Sequence, residues 1–190
     1  MNAKLTLPLV SEDTADEKAL EILSNTRKKM GRIPNMYGEM ANAPGALSTY
    51  LHGYDWFRKE SGFTPAEQEV IFLTISRENA CHYCVAAHSM IAEKVSKVPA
   101  QAIQAIREGG TIDDPKLRAL AEFVKEMVQT QGNPSQGSLQ TFTSAGYSQQ
   151  QALQVVLAIA VKTISNYTNH LFDTPVDAAF ASYVLPAGTK

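Results

Sequence analysis

Three residues near the middle of this chain have the types and spacing needed for thiol chemistry. Cys81, Cys84 and His88 form the pattern CxxCxxxH, and the chain has no other cysteine among its 190 residues. If the segment is helical, steps of three and four residues place the three side chains on one stripe, with the imidazole within reach of a thiol. A helix N-terminus and a nearby proton acceptor both favour the thiolate, which is the nucleophilic form of cysteine. The spacing therefore predicts a reactive thiol.

A pair of thiols this close together can also cycle between a reduced and an oxidised form. One sulfur attacks an oxidant and becomes a sulfenic acid, which the second sulfur converts to a disulfide before irreversible over-oxidation. We expect His88 to act as general base or proton shuttle to Cys84, with a third group that sets its tautomer. The residues alone leave three candidates for that group, which are Glu67, Glu69 and Glu78.

Two further residues lie between the cysteines and are candidates for tuning the site. His82 has a different angle on the predicted helix, so we expect it either on the surface or as a group that adjusts the pKa of a thiol. We expect Tyr83 to line the pocket. Neither residue is assigned a direct step in the chemistry.

Other interpretations of the cysteine pair remain open. Free cysteine is among the most buried residue types, so the two thiols could simply fill the core. Thiolates and imidazole also bind zinc, but Cys81, Cys84 and His88 supply three ligands and no second Cys/His cluster occurs, which leaves Glu69 as a fourth. A thioredoxin-like motif would need a βαβ context. The pattern favours redox chemistry without a metal or a cofactor.

The elements that must position these residues are helices. Start and stop signals of helices recur along the chain, whereas alternating runs of β-branched residues with hairpin turns are missing. The sequence predicts an all-α fold, a single-domain helical bundle over residues 1–190 whose segment 64–94 carries the redox motif. Thr64 as N-cap, with Pro65 and Glu67, forms a capping box. The expected helices cover about 14–30, 35–42, 44–60, 81–94, 99–108, 115–131, 139–144 and 148–171, with another that begins at Thr64 and one or two turns after Pro175.

Glu69 can reach the motif only if the chain turns between them. In one unbroken helix, Glu69 and Cys84 would lie about 22 Å apart, because an α-helix rises about 1.5 Å per residue. The polar segment 76–79 permits a turn, with Asn79 as the N-cap of a second helix that begins at Cys81. We therefore expect two helices that fold back on each other.

Composition and charge exclude several classes of function. The chain carries 17 basic and 19 acidic residues, without a basic stripe that could follow a phosphate backbone, so we expect no nucleic-acid partner. The apolar run 155–161 is followed by Lys162 and is far shorter than the roughly 18 residues of a membrane span. The N-terminus lacks the apolar segment of a secretory signal. These features predict a cytoplasmic protein without a membrane partner, and the abundance of apolar stripes favours a homo-oligomer.

The run from Glu69 to His88, a glutamate followed after a fixed interval by CxxCxxxH, resembles the signature of the alkyl hydroperoxidase D and carboxymuconolactone decarboxylase superfamily. Three other segments resemble its longer, peroxidase-related branch: Gly31-Arg32-Ile33-Pro34-Asn35, Asn169-His170 and Pro175-Val176-Asp177. The resemblance implies that Cys84 attacks a peroxide, that Cys81 is its disulfide partner, and that His88 and Glu69 form a proton relay. The best-studied members carry a histidine directly before the second cysteine, where this chain has Tyr83.

The residues and the resemblance together predict a thiol-dependent peroxidase with peroxiredoxin-type activity on hydrogen peroxide or organic hydroperoxides. An external dithiol, such as a lipoyl-linked one, would reset the Cys81/Cys84 disulfide, and the resemblance implies a trimer or hexamer. One alternative is a carboxymuconolactone decarboxylase-like lyase, although members of that branch usually lack the cysteine pair. Another is a redox sensor or metal-binding protein without turnover.

Overall fold

The computed structural model describes residues 4–186, and within that range the regular secondary structure is helical, without strands. This confirms the predicted all-α class. The helices are α1 (Glu17–Met30), α2 (Asn35–Met40), α3 (Pro44–Glu60), α4 (Pro65–Glu78), α5 (His82–Lys94), α6 (Ala100–Glu108), α7 (Pro115–Gln129), α8 (Gln136–Ser144), α9 (Gln149–Phe172) and a final 3₁₀ helix (Ala178–Tyr183).

The ends of the helices depend on the side chains that cap them, which explains several differences from the predicted boundaries. α1 begins at Glu17 rather than at 14, because the side chain of Asp16 caps it. α8 begins at Gln136 rather than at 139, because Ser135 supplies the cap. The capping box of α4, by contrast, is confirmed, with Thr64 and Glu67 bonded reciprocally to each other's backbone amides.

The turn between α4 and α5 corrects one prediction. Asn79 does not cap α5; it follows the last residue of α4, and its side chain donates a hydrogen bond to Oδ1 of Asn166 at 2.9 Å. Ala80 then has a φ of 52°. Cys81 is the N-cap of α5, with the extended values φ −91° and ψ 93°. The motif helix therefore begins after Cys81, and Cys84 lies in its first turn.

The central element of the fold is α4, which packs against α5, α6, α7 and α9. Its residues 67–76 are all buried, so this helix has no face to water over that stretch. Two of those buried residues, Glu67 and Glu69, carry carboxylates that must find partners inside the protein. Among residues 4–186 there is no helix whose length and apolar character would let it cross a membrane.

The longest helix, α9, lies against α3, and a glycine permits their close approach. A Cβ atom added at Gly53 of α3 would lie 2.8 Å from Cγ2 of Val161. Val161 directly precedes Lys162, and both residues are buried. Gly45, in the first turn of the same helix, has open space around it, with no atom within 4 Å of an added Cβ.

This contact predicts opposite effects for two similar substitutions. Gly53→Ala should lower the free energy of unfolding by about 1 to 3 kcal/mol, because overpacking forces the two helices apart. Gly45→Ala should leave it unchanged or raise it by up to about 1 kcal/mol, because alanine favours helix more than glycine does. Denaturant unfolding of both variants checks this. Equal stability of the two variants would contradict the close packing of α3 on α9.

Candidate active site

The α4–α5 hairpin brings a carboxylate against the histidine of the motif. Oε2 of Glu69 lies 2.8 Å from Nδ1 of His88, and both side chains are buried. The other two candidate glutamates are engaged elsewhere: Glu67 in the cap of α4, and Glu78 as acceptor of a hydrogen bond from Gln129. The hairpin thus pairs His88 with Glu69, the residue that the family resemblance selected and that the spacing alone left open.

The second carboxylate oxygen of Glu69 accepts a hydrogen bond from Arg58 of α3. Arg58 also donates to the hydroxyl of Tyr54 at 2.6 Å and to Oε1 of Gln68 at 3.1 Å. Burial acts to raise the pKa of Glu69, but the neighbouring His88 and Arg58 outweigh it, and the pKa lies below its ordinary value. Glu69 is therefore ionised at neutral pH and has a partner on each oxygen.

Lys162 of α9 contacts the other side of His88, so that Arg58, Glu69, His88 and Lys162 form a row of buried polar contacts. No motif in the sequence indicates this role of Lys162. Its side chain is fully buried, and Nζ lies 3.0 Å from Nε2 of His88. In the sequence, Lys162 only marks the end of an apolar run. The signal that could have identified it is the isolation of one lysine in the middle of a helix whose neighbours are apolar or small.

Both ring nitrogens of His88 are thus occupied, Nδ1 by Glu69 and Nε2 by Lys162. Burial, together with the charge of Lys162, lowers the pKa of His88 below its usual value, although Glu69 acts in the opposite direction. Within the described residues, no hydrogen bond joins His88 to Cys84. The two groups still interact through their charges, but both ring nitrogens are directed to partners on α4 and α9 rather than to the thiol.

The two cysteines share one hydrogen-bond donor from α9. Nδ2 of Asn169 lies 3.2 Å from Sγ of Cys84 and 3.6 Å from Sγ of Cys81, and both thiols are buried and free. Cys84 also lies 4.0 Å from Oγ of Ser165. A single amide nitrogen therefore contacts both sulfurs, which places them close to each other in the reduced protein.

The two thiols differ in their tendency to ionise. Burial acts to raise the pKa of the Cys84 thiol, but a hydrogen bond with Cys81 and the charge of Lys162 outweigh it, so the pKa lies well below the ordinary value. The hydrogen bond with Cys84, together with burial, raises the pKa of Cys81. The site therefore favours one thiolate, at Cys84, next to one neutral thiol.

The two candidate tuning residues occupy different environments. His82 is exposed, at the first position of α5. Tyr83 is buried, packs its ring edge-on against Phe180 at 5.2 Å between centroids, and donates a hydrogen bond to Asp177. Together with Cys81, these two residues line a depression in the protein surface, whereas Cys84 does not.

The zinc interpretation finds no support in the part of the chain that the structure describes. Within residues 4–186, no group of three or more His, Cys, Asp and Glu side chains is arranged to hold a metal ion. His88 instead directs its two nitrogens to a carboxylate and an ammonium group, and the thiols interact with an amide.

A family model and several solved structures resemble this chain. Residues 43–126 match the model of the carboxymuconolactone decarboxylase family. That segment contains Glu69, Cys81, Cys84 and His88, whereas Lys162 lies outside it. No curated protein sequence matches the chain.

The similar solved structures cover nearly the whole chain. An uncharacterized peroxidase-related protein from Ralstonia eutropha JMP134, described as an alkylhydroperoxidase AhpD core, has a TM-score of 0.81 and 22% identity over 92% of this chain and 93% of its own. A peroxidase-related protein from Silicibacter sp. TM1040 has a TM-score of 0.76 and 18% identity over 94% and 93%. The debrominase Bmp8, in complex with 2,3,4-tribromopyrrole, has 0.76 and 18% over 96% of each chain. These likenesses establish the fold.

The buried state of His88 predicts a pH dependence of stability. Because its folded pKa lies below 6.5, the unfolded chain takes up a proton first as the pH falls, so the stability contribution is complete above 6.5 and decreases below it. This decrease should reach up to about 1.4 kcal/mol per pH unit until the folded pKa is approached. Denaturant unfolding at pH 7.5 and 5.5 should show a smaller loss for His88→Gln than for wild type. The control His52→Gln, at an exposed histidine, should behave as wild type; an equal loss in His88→Gln would refute the assignment.

Proposed function

We propose that this chain is a member of the alkyl hydroperoxidase D-like and carboxymuconolactone decarboxylase superfamily and acts as a thiol-dependent peroxidase. The family match over residues 43–126 and the shared fold support this proposal. The observation that carries the proposal is that the amide nitrogen of Asn169 contacts the sulfurs of both Cys81 and Cys84. The pKa of the Cys84 thiol is lowered and that of the Cys81 thiol is raised. A thiolate with a neutral thiol beside it is the arrangement that peroxide reduction through a disulfide requires.

The proposed cycle has three steps, which begin at Cys84. Its thiolate attacks the distal oxygen of a hydroperoxide, the O–O bond breaks, and the leaving oxygen takes up a proton to give an alcohol, or water from hydrogen peroxide. The thiol of Cys81 then attacks the sulfenic acid, so that a disulfide forms and water leaves. An external dithiol reduces this disulfide and is itself oxidised to a disulfide, which restores Cys81 and Cys84.

Glu69 and His88 support this cycle through proton transfer and orientation. Glu69 accepts a hydrogen bond at Oε2 and thereby fixes the ring of His88, as carboxylates do for catalytic histidines. Because both ring nitrogens have partners, His88 would exchange a proton with Cys84 through an intervening group or a water molecule rather than by direct contact. This arrangement supports the proton relay of His88 and Glu69 that the family resemblance implied, in the form that runs through water.

The reductant has one evident point of attack. Both thiols are buried in the reduced protein, and Cys81 is the one that borders the surface depression, together with His82 and Tyr83. We expect the external dithiol to attack Sγ of Cys81, so that Cys84 leaves as the thiolate that its low pKa favours. A lipoyl-linked dithiol is the reductant that we expect, as the family resemblance implied.

Association of identical chains is part of the same proposal. Along the outer face of α9, Leu153 is 70% exposed, Val156 48% and Tyr167 56%. Exposed apolar side chains spaced along one helix are typical of a protein interface. We expect a second copy to cover this face in a trimer or hexamer, which light scattering of the purified protein measures directly.

A second candidate is reductive dehalogenation, which the fold shared with a debrominase suggests. The same two thiols could supply its two electrons: an aryl bromide and the dithiol would give the arene, bromide, a proton and the disulfide. Hydroperoxide reduction is preferred, because it requires nothing of the site beyond a thiolate and a resolving thiol. Release of bromide from tribromopyrrole by the reduced protein, without consumption of peroxide, would reverse this order.

Titration of thiols tests the proposed reaction. One equivalent of hydrogen peroxide should remove both thiols of the wild type and leave a disulfide. Cys81→Ser should stop at a sulfenic acid, seen as a mass increase of about 16 Da, because the resolving thiol is missing. Cys84→Ser should retain its single thiol. A Cys84→Ser variant that consumes peroxide as fast as wild type would refute the proposal.

Turnover separates an enzyme from a redox sensor and from a lyase. With dihydrolipoamide as reductant, the wild type should consume many equivalents of peroxide, whereas Cys84→Ser and Glu69→Gln should lose at least about tenfold in rate, since proton positioning typically contributes 10²-fold or more. Oxidation that stops after one equivalent would indicate a sensor. Decarboxylation of a lactone acid that survives loss of both cysteines would indicate a lyase.

A further inference from the structure

Lys162 is a buried ammonium group without a carboxylate partner. Its side chain has no exposed surface, and no acidic side chain among residues 4–186 lies within ion-pair distance of Nζ. The nearest carboxylate in the row, that of Glu69, already has Arg58 on one oxygen and His88 on the other. An isolated buried charge is costly, so a negative charge close to Lys162 is needed to stabilise it.

The surroundings of Lys162 show where that charge can reside. Titratable and charged groups reach this part of the core from α2 to α5, namely Tyr37, Tyr50, Tyr54, Arg58, Glu69, Cys81, Cys84 and His88. Arg58 and Glu69 offset each other. Burial raises the pKa of each of the three tyrosines, which are neutral, and the pKa of Cys81 is also raised. Cys84 is the remaining group that can carry a negative charge.

Lys162 lies on the same face of α9 as two residues that contact Cys84. Ser165, one turn further along the helix, lies 4.0 Å from Sγ of Cys84, and its hydroxyl donates to the carbonyl oxygen of Lys162 at 3.2 Å. Asn169, one turn beyond Ser165, contacts the same sulfur. One stripe of α9 therefore faces the thiol, and Lys162 is the charged member of that stripe.

We propose that Lys162 is a positioning residue, whose ammonium group is the counter-ion of the Cys84 thiolate and holds His88 in one neutral tautomer. The proposal rests on the proposed function only in taking Cys84 as the reacting thiol. An ammonium group has donors and no acceptor, so Nε2 of His88 must accept its hydrogen bond. The proton of the ring then resides on Nδ1 and is donated to Glu69. Negative charge thus alternates with positive along the row, and the imidazole is neutral.

The first test examines the wild type and needs no variant. Nitrogen chemical shifts of ¹⁵N-labelled protein at pH 7.5 should show His88 with a protonated Nδ1 and a bare Nε2. The exposed His52 and His82 serve as internal references. A protonated Nε2 on His88, or an imidazolium, would overturn the proposal, because Lys162 could not then donate to that atom.

The second test measures the thiolate of Cys84 directly. In a Cys81→Ser background, the absorbance of the thiolate near 240 nm is followed against pH, with the double variant Cys81→Ser/Cys84→Ser as baseline. Adding Lys162→Met should move the midpoint upwards by at least about one pH unit, which is tenfold less thiolate below the midpoint. Lys162→Arg should restore most of the shift, because it keeps the positive charge. Lys18→Met, an exposed lysine on α1, is the matched control and should have no effect.

The outcomes separate this proposal from the peroxidase assignment, because neither readout involves a peroxide. A folded Lys162→Met protein, by circular dichroism, that keeps the midpoint of the Cys81→Ser background refutes the counter-ion role whatever its activity. A raised midpoint with rescue by arginine supports that role even if the wild type fails to consume peroxide. If Lys162→Met does not fold, two other measurements decide the question, namely the tautomer of His88 in the wild type and the thiolate midpoint of Lys162→Arg. A His88 ring protonated at Nε2 refutes the proposal. A midpoint that arginine raises by about one pH unit or more also refutes it.

Discussion

A carboxylate with no access to water is the constraint on which the rest of this site depends. Glu69 lies on α4 within the stretch 67–76, which is buried throughout, and its two oxygens are paired with groups from different helices. Breaking such a pair leaves an uncompensated charge in the interior, which costs several kcal/mol. Arg58 of α3 and His88 of α5 are therefore held in register with α4. The environment of the two thiols therefore depends on buried polar and charged groups from several helices as well as on the CxxCxxxH motif.

Local signals predict most of the helices, and they fail where the partner is distant in the chain. The capping box at Thr64 is visible in the sequence, because a cap acts within one turn. Asn79 has the right residue type for an N-cap, yet its side chain is bonded to Asn166, 87 residues away. The Asn79 error thus arose because a tertiary hydrogen bond competed with a local one. No spacing rule could have revealed that competition.

The residues of the candidate site also fall into two groups, those that local spacing predicts and those that come from distant parts of the chain. Cys84 and His88 are predictable from helical spacing, because both lie on one helix. Glu69 lies across a turn, so the spacing left it among three glutamates and only the family resemblance distinguished it. Lys162 and Asn169 reach the site from α9 and carry no motif of their own. Residues that act on a site from another helix become apparent only when the packing is known.

The position of Cys81 outside the helix affects how the protein responds to oxidation. Cys84 is anchored in the first turn of α5, whereas Cys81 is a cap residue with extended backbone, preceded by Ala80 in the left-handed region. Closing a bond between the two sulfurs can therefore be accommodated by rotation within a short link, while the hydrogen bonds of α5 and the Glu69–His88 pair stay in place. Oxidation would then alter the floor of the surface depression and remove the negative charge of Cys84 beside Lys162, while the contacts of Glu69 with Arg58 and His88 stay in place. A partner that docks there would meet a different surface in each redox state.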